Sequence, residues 1–440
     1  MLLVKIVATL AITVGLAEAA SYIMYERLAH RPFSMERIQA ELGTPTDGPQ
    51  FASDDRAAPA HRFRRPFMWD KALHPYLGFA YRPDESTPTN SFGFFGPSPV
   101  MTPRPGHAVA GLFGGSVALG LCMNPDHGTK LIAEAIARSA FFHGKTIDVV
   151  CLAVDGYKQP QQLLALTYLL ALGVRFDVVI NLDGFNEAVL PVAENVPEGV
   201  FPFYPREWKL YSHSSFSPEV APLIADMLQL RTRRQRLQKL ASYFPLRNSV
   251  TALTVWDVTD NRLKIQELAI NSRAMDILAS SRTRDENRGP WAAGQSVAPE
   301  DLVRVWRDSS AQMERLARTN GFKYFHFLQP NQYVADSKVL SREERTIAVA
   351  IGLYPYRTAV QNNYPAFIRE GSRLRELENF TDLTPMFAFE ARTVYADTCC
   401  HFNELGTDLI SYQIAHVVAQ RLNDDHHKAA EATRVSSSGE

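Results

Sequence analysis

Near-continuous runs of apolar residues, separated by stretches of helical period, organise most of this 440-residue chain. The runs occupy His107 to Phe113, Ile147 to Val154, Phe176 to Leu182, Tyr324 to Leu328 and Thr393 to Ala396. Runs of this length without polar alternation are what strands buried on both faces look like. Between the second and third lies Gln159 to Leu172, with Pro160 at a helix start and Gly173 just past its end. Strand, helix, strand in that order implies right-handed parallel crossovers. The pattern therefore predicts an α/β fold: a three-layer α/β/α sandwich with a mostly parallel sheet.

The rhythm breaks from about residue 191 to 319, which reads as a helical insertion with Leu and Arg at helix spacing over Met227 to Leu240, Asn261 to Ile277 and Leu302 to Ala317. It opens on an aromatic cluster, Phe201-Pro202-Phe203-Tyr204-Pro205 with Trp208, suited either to stacking on sugar rings or to packing beneath the insertion. Ser341 to Phe387 forms a second insertion before the last expected strand. Residues 28–70 read as a linker, 71–423 as the main domain and 424–440 as a disordered tail holding His426 and His427, with no metal role.

Residues 1–27 read as a targeting element: Lys5, an apolar run from Ile6 to Leu16, then Ala17-Glu18-Ala19 in a small-x-small pattern. A cleaved signal and an uncleaved membrane anchor extended through Tyr25 both fit, the anchor at the cost of Glu18. Either places the chain outside the cytoplasm. Lys and Arg total 46 against 47 Asp and Glu, a net charge of −1, so no electrostatic footprint for nucleic acid exists. The densest basic run, His61 to Arg65, reads as part of a solvated tether. Four cysteines, Cys122, Cys151, Cys399 and Cys400, are too few for a disulfide scaffold and match no zinc spacing.

The chemistry concentrates at strand ends. Ser116 follows an apolar run and the pair Gly114-Gly115, a tight strand-to-helix turn where backbone can approach a substrate. A phosphate loop needs Gly-Lys-Ser/Thr after its glycines, and none follows. A dinucleotide fingerprint finds Gly115 and Gly120 but Val117 between them, and it would need Asp155 on a ribose. Gly156 follows the second strand, Asn186 the third and His401 the last, so all belong to one sheet edge. In that arrangement His401 would take the proton of Ser116 as it attacks an ester carbonyl, and Asp397 would orient the imidazole. The amides of Ser116 and Gly156 with the Asn186 side chain would hold the oxyanion. No cofactor or metal is needed.

Ser, Gly, Asn and Asp/His in this chain order resemble the SGNH/GDSL hydrolase superfamily. Ser116 in Gly-Gly-Ser resembles its first block, with Gly115 where aspartate is usual; Gly156 matches the second, and Asn186 in Gly-Phe-Asn-Glu the third. Asp397 and His401 match the fifth. The resemblance spans roughly His74 to Asn423 outside the helical insertion. Leu77-Gly78-Phe79 and Asn90 to Gly96 look like the entry segment of exported bacterial members that modify surface glycans. The family places aspartate three residues before histidine, whereas here the spacing is four; either the loop is bulged at Cys399-Cys400 or a backbone carbonyl orients His401 instead. The resemblance implies an esterase acting on an acylated glycan or lipid. An acyltransferase would use the same residues, and a non-catalytic glycan-binding factor would keep the fold with Ser116 more than about 5 Å from His401.

Overall fold

The computed structural model describes residues 2–29, 32–42, 71–83, 88–102, 104–124, 126–208, 219–280, 297–349, 354–377 and 380–437. The described residues divide into two units, one of 2–42 with 219–280 and the other of 71–208 with 297–437. The basic run at 61–65 and most of the expected linker lie outside the described residues.

In the first unit, helices α1 (Leu2–Ala29) and α2 (Met35–Leu42) belong with α7 (Ala221–Ser242) and α8 (Val250–Ser280). Helix α2 falls where the linker was expected. Its Glu, Gln, Ala and Leu are good helix formers, and Ile38 and Leu42, one turn apart, join Tyr25, Ala241, Leu253 and Trp256 in a core. Between α7 and α8, Arg234 bridges Asp260 at 2.8 Å and Glu267 at 2.9 Å. Glu18 is part of this unit: its carboxylate accepts from Ser249 Oγ and from the amides of Val250 and Thr251, capping α8. Among the described residues no helix is long and apolar enough to cross a membrane.

The second unit carries the sheet. A hairpin of β1 (Lys71–His74) and β2 (Gly78–Tyr81) stands apart from five parallel strands in the order β4-β3-β5-β6-β7. Here β3 is His107–Gly114, β4 Thr146–Ala153, β5 Val178–Asp183, β6 Lys323–Leu328 and β7 Phe380–Asp382. Four of the expected strands are therefore present. The fifth is corrected: Thr393 to Ala396 does not join the sheet, whose edge is β7. Tyr395 instead bridges antiparallel to Phe402, and the amide of Ala396 donates to the carbonyl of His401, because this segment turns straight back on itself.

Helices α3 (Ser116–Cys122) and α4 (Gly128–Arg138) connect β3 to β4, and α5 (Gln161–Ala171) connects β4 to β5. These crossovers run in opposite directions along the sheet, so their shared right-handedness leaves the helices on opposite faces. Helix α4 packs with the terminal helix α12 (Glu404–Ser437). On the other side α5 and α6 (Phe185–Leu190) pack with α9 (Pro299–Asn320), which in turn meets α11 (Pro355–Leu377); the short α10 (Arg342–Ile347) lies between β6 and α11 in the chain. Helix α9 thus belongs to this unit, whereas residues 219–280 of the expected insertion group with the N-terminal helices. The last helix runs on through Ser437, past the expected start of a tail at 424; Ala, Glu, Lys and Arg in that stretch favour helix.

The chain leaves β3 for one neighbour and returns to the other side of it as β5. Strand order therefore reverses between β3 and β5, the place where open parallel sheets bind ligands beyond their carboxyl ends. Beneath that edge lies a buried polar chain: Ser310 Oγ to His326 Nδ1 at 2.8 Å, and His326 Nε2 to Asp183 Oδ1 at 2.8 Å. Trp306 Nε1 also donates to Asp183 Oδ1 at 2.8 Å. Ser310 and His326 have no exposed surface. This set ties β5, β6 and α9 together and is sealed from substrate.

Candidate active site

Close backbone approach explains the glycines before Ser116. A Cβ on Gly114, whose φ is +146°, would fall 2.1 Å from the carbonyl oxygen of Leu182 in β5. One on Gly115 would fall 2.2 Å from Asn186 Nδ2 and 3.3 Å from the carbonyl oxygen of Tyr157. A side chain at 115 would drive these loops apart, which accounts for glycine there. Ser116 then opens α3 and is half-buried. At its far end, Cys122 is disulfide-bonded to Cys151 of β4.

The loop after β4 is a turn closed by the amide of Tyr157 on the carbonyl of Val154, with Gly156 at φ +81°. A Cβ there would meet Arg206 Cδ at 2.9 Å. Asn186, in the first turn of α6, donates from Nδ2 to the carbonyl of Tyr157 at 2.7 Å, and the same nitrogen carries a second hydrogen. The Ser116, Gly156 and Asn186 loops therefore meet at one point. Asp155 is committed elsewhere, to Lys71 Nζ at 2.6 Å and to the Tyr81 hydroxyl. Gly120 lies inside α3. A dinucleotide has neither its ribose acceptor nor its third loop glycine here.

Asp397 gathers the last loop around itself. Its Oδ1 accepts the amides of Cys399, Cys400 and His401 at 2.9, 3.1 and 3.2 Å, while Oδ2 lies 2.6 Å from His401 Nδ1. His401 Nε2 lies 2.8 Å from Ser116 Oγ. The four-residue spacing is accommodated because one carboxylate both closes the loop and meets the ring. Asn403 accepts the Gly406 amide at 2.9 Å and caps α12.

Sequence reasoning missed the braces of this loop. Asn331 Nδ2 donates to the Cys399 carbonyl at 3.0 Å, Gln332 Nε2 to that of Asp397 at 2.9 Å, and the Tyr333 hydroxyl to that of Thr398 at 2.7 Å. The available signal was the polar run Gln329 to Tyr333 directly after the apolar β6. Arg206 was missed too: it holds Glu194 through two bonds of 2.7 and 2.8 Å beside Gly156. The aromatic cluster is half-buried and packs on itself, Phe201 edge-on to Phe203 and Tyr204.

Burial pushes the His401 imidazole towards neutrality, but the charge of Asp397 and the neighbouring Cys400 outweigh it and lift the pKa to about 10. Burial likewise opposes ionisation of Cys400, yet its contact with Cys399 and the adjoining His401 lower its thiol pKa to about 6. Among the described residues, Cys399, Cys400 and His401 are placed to offer donor atoms to a metal, within 4.8 Å of one another.

The fold and geometry describe an α/β protein with a serine, an imidazole and a carboxylate in hydrogen-bonded line at the reversal point of a parallel sheet. No family model and no curated protein matches the chain.

Proposed function

We propose that this protein is a serine ester hydrolase of the SGNH/GDSL type, acting outside the cytoplasm on an acylated glycan or lipid. The observation that carries the reading is the continuous line from Ser116 through His401 to Asp397, with contacts of 2.8 and 2.6 Å. In the neutral form of the imidazole, Asp397 holds the proton on Nδ1, leaving the Nε2 lone pair facing the serine hydroxyl. His401 takes that proton as Oγ attacks the ester carbonyl, then returns it to the leaving alcohol; water repeats the sequence on the acyl-enzyme. Gly156 and Asn186, converging beside Ser116, suit the developing oxyanion. The short Ser116 to His401 contact favours catalysis over a binding role alone. The Cys122–Cys151 disulfide favours an oxidising compartment, and the exposed Ile12, Val14, Leu16 and Ile23 of α1 favour association of that helix with a membrane.

The full chain, solubilised in mild detergent, is expected to release nitrophenol from short-chain nitrophenyl esters and to label with a fluorophosphonate at Ser116. Absence of both activities refutes the proposal.

The pH dependence has a definite sign. A base whose pKa is lifted to about 10 is mostly protonated at neutral pH, and only the unprotonated fraction accepts the serine proton. The fluorophosphonate labelling rate is expected to climb about tenfold per pH unit from about pH 7 to 9. A rate already level across that interval would contradict the lifted imidazole.

A further inference from the structure

The ester chemistry leaves Cys399 and Cys400 unused, although they sit between the two residues that activate Ser116. Their sulfurs are 3.3 Å apart, and with a His401 nitrogen they present three donor atoms within 4.8 Å of one another. Cys400 is buried and Cys399 is partly exposed, which gives the pair an open side. Cys122 and Cys151 are joined, whereas these two are free thiols. Neighbours in sequence resist cross-linking, because their Cα atoms are only about 3.8 Å apart against the roughly 4.4–6.8 Å a disulfide prefers. An adjacent dithiol beside an imidazole is a soft donor set, matched to zinc and its heavier congeners rather than to magnesium or calcium.

We propose that Cys399, Cys400 and His401 form a binding site for a soft divalent cation of the zinc group, and that its occupancy withdraws His401 from the Ser116 relay. On binding, the thiols lose their protons to solvent and form two metal–sulfur bonds, and an imidazole nitrogen donates its lone pair as the third ligand. Both nitrogens of His401 are engaged, Nδ1 with Asp397 and Nε2 with Ser116. Whichever takes the ion gives up a hydrogen bond that base catalysis uses. Three protein ligands leave the fourth tetrahedral position to water. The inhibitory consequence rests on the proposed hydrolase reading; the binding site does not.

The test titrates the full chain, its Cys122–Cys151 bond intact, with cadmium under anaerobic conditions. Ultraviolet thiolate-to-cadmium charge transfer is recorded, with fluorophosphonate labelling in parallel. One equivalent is expected to saturate the band, with labelling slowed at least about tenfold and restored by a chelator. The Cys399→Ser/Cys400→Ser double variant is expected to lose the band and the cadmium sensitivity. If that variant does not fold, Cys399→Ser alone should weaken the band and raise the titration midpoint at least about tenfold. A wild-type protein without the band, a band unchanged in the variants, or a peptide map of the isolated protein with Cys399 cross-linked to Cys400 overturns the site. A band, with neither labelling at Ser116 nor ester turnover in the cadmium-free protein, upholds the site and refutes the hydrolase; labelling that ignores cadmium, with no band, does the reverse.

Discussion

Ser116→Ala is expected to lower ester turnover by about 10⁴–10⁶-fold while leaving the fold intact. The substitution removes one half-buried hydroxyl whose contact is His401 Nε2, so the β3 to α3 turn keeps its glycines, its backbone bonds and the cross-link at Cys122. With no nucleophile, only transition-state binding by the surrounding amides remains. Steady-state kinetics with a nitrophenyl ester measure the loss, and thermal unfolding checks that the variant is folded. Turnover within about tenfold of the parent would show that another group attacks the ester, and would remove the basis of the hydrolase reading.

Asp397→Asn is expected to cost about 10⁴-fold, close to the loss on removing the imidazole itself. An amide at 397 can keep its oxygen on the amides of Cys399, Cys400 and His401, so the loop retains its closure. Its nitrogen, however, then faces His401 Nδ1 as a donor. The ring must accept there and carry its proton on Nε2, pointing at Ser116, where the base should be. If a backbone carbonyl oriented the ring instead, as the four-residue spacing also allowed, Asp397→Asn would be mild. The 2.6 Å contact between Asp397 and the ring argues for the larger loss. Activity within about tenfold of the parent would assign orientation to the backbone.

The strands were legible because burial on both faces leaves no polar alternation, and β3, β4, β5 and β6 therefore stand out as apolar runs. The residues after them were legible for the same reason, since a strand's carboxyl end locates its loop. Edge strand β7 was not: three residues, Phe380 to Asp382, carry too little pattern, whereas Thr393 to Ala396 is apolar because Val394 and Tyr395 pack inward from a loop. Spacing alone could not choose the ring's partner, because one carboxylate accepting several amides is a tertiary arrangement. The braces from Asn331, Gln332 and Tyr333 were hidden likewise: their partners lie 65 or more positions away.

The sealed Ser310, His326 and Asp183 have the same three side-chain types in hydrogen-bonded contact as the surface set. What separates them is traffic: an ester and a water molecule can arrive at one and at the other nothing can. A chemist reading only atom types and bond lengths would find two engines in this molecule. One of them has no intake, and serves as masonry.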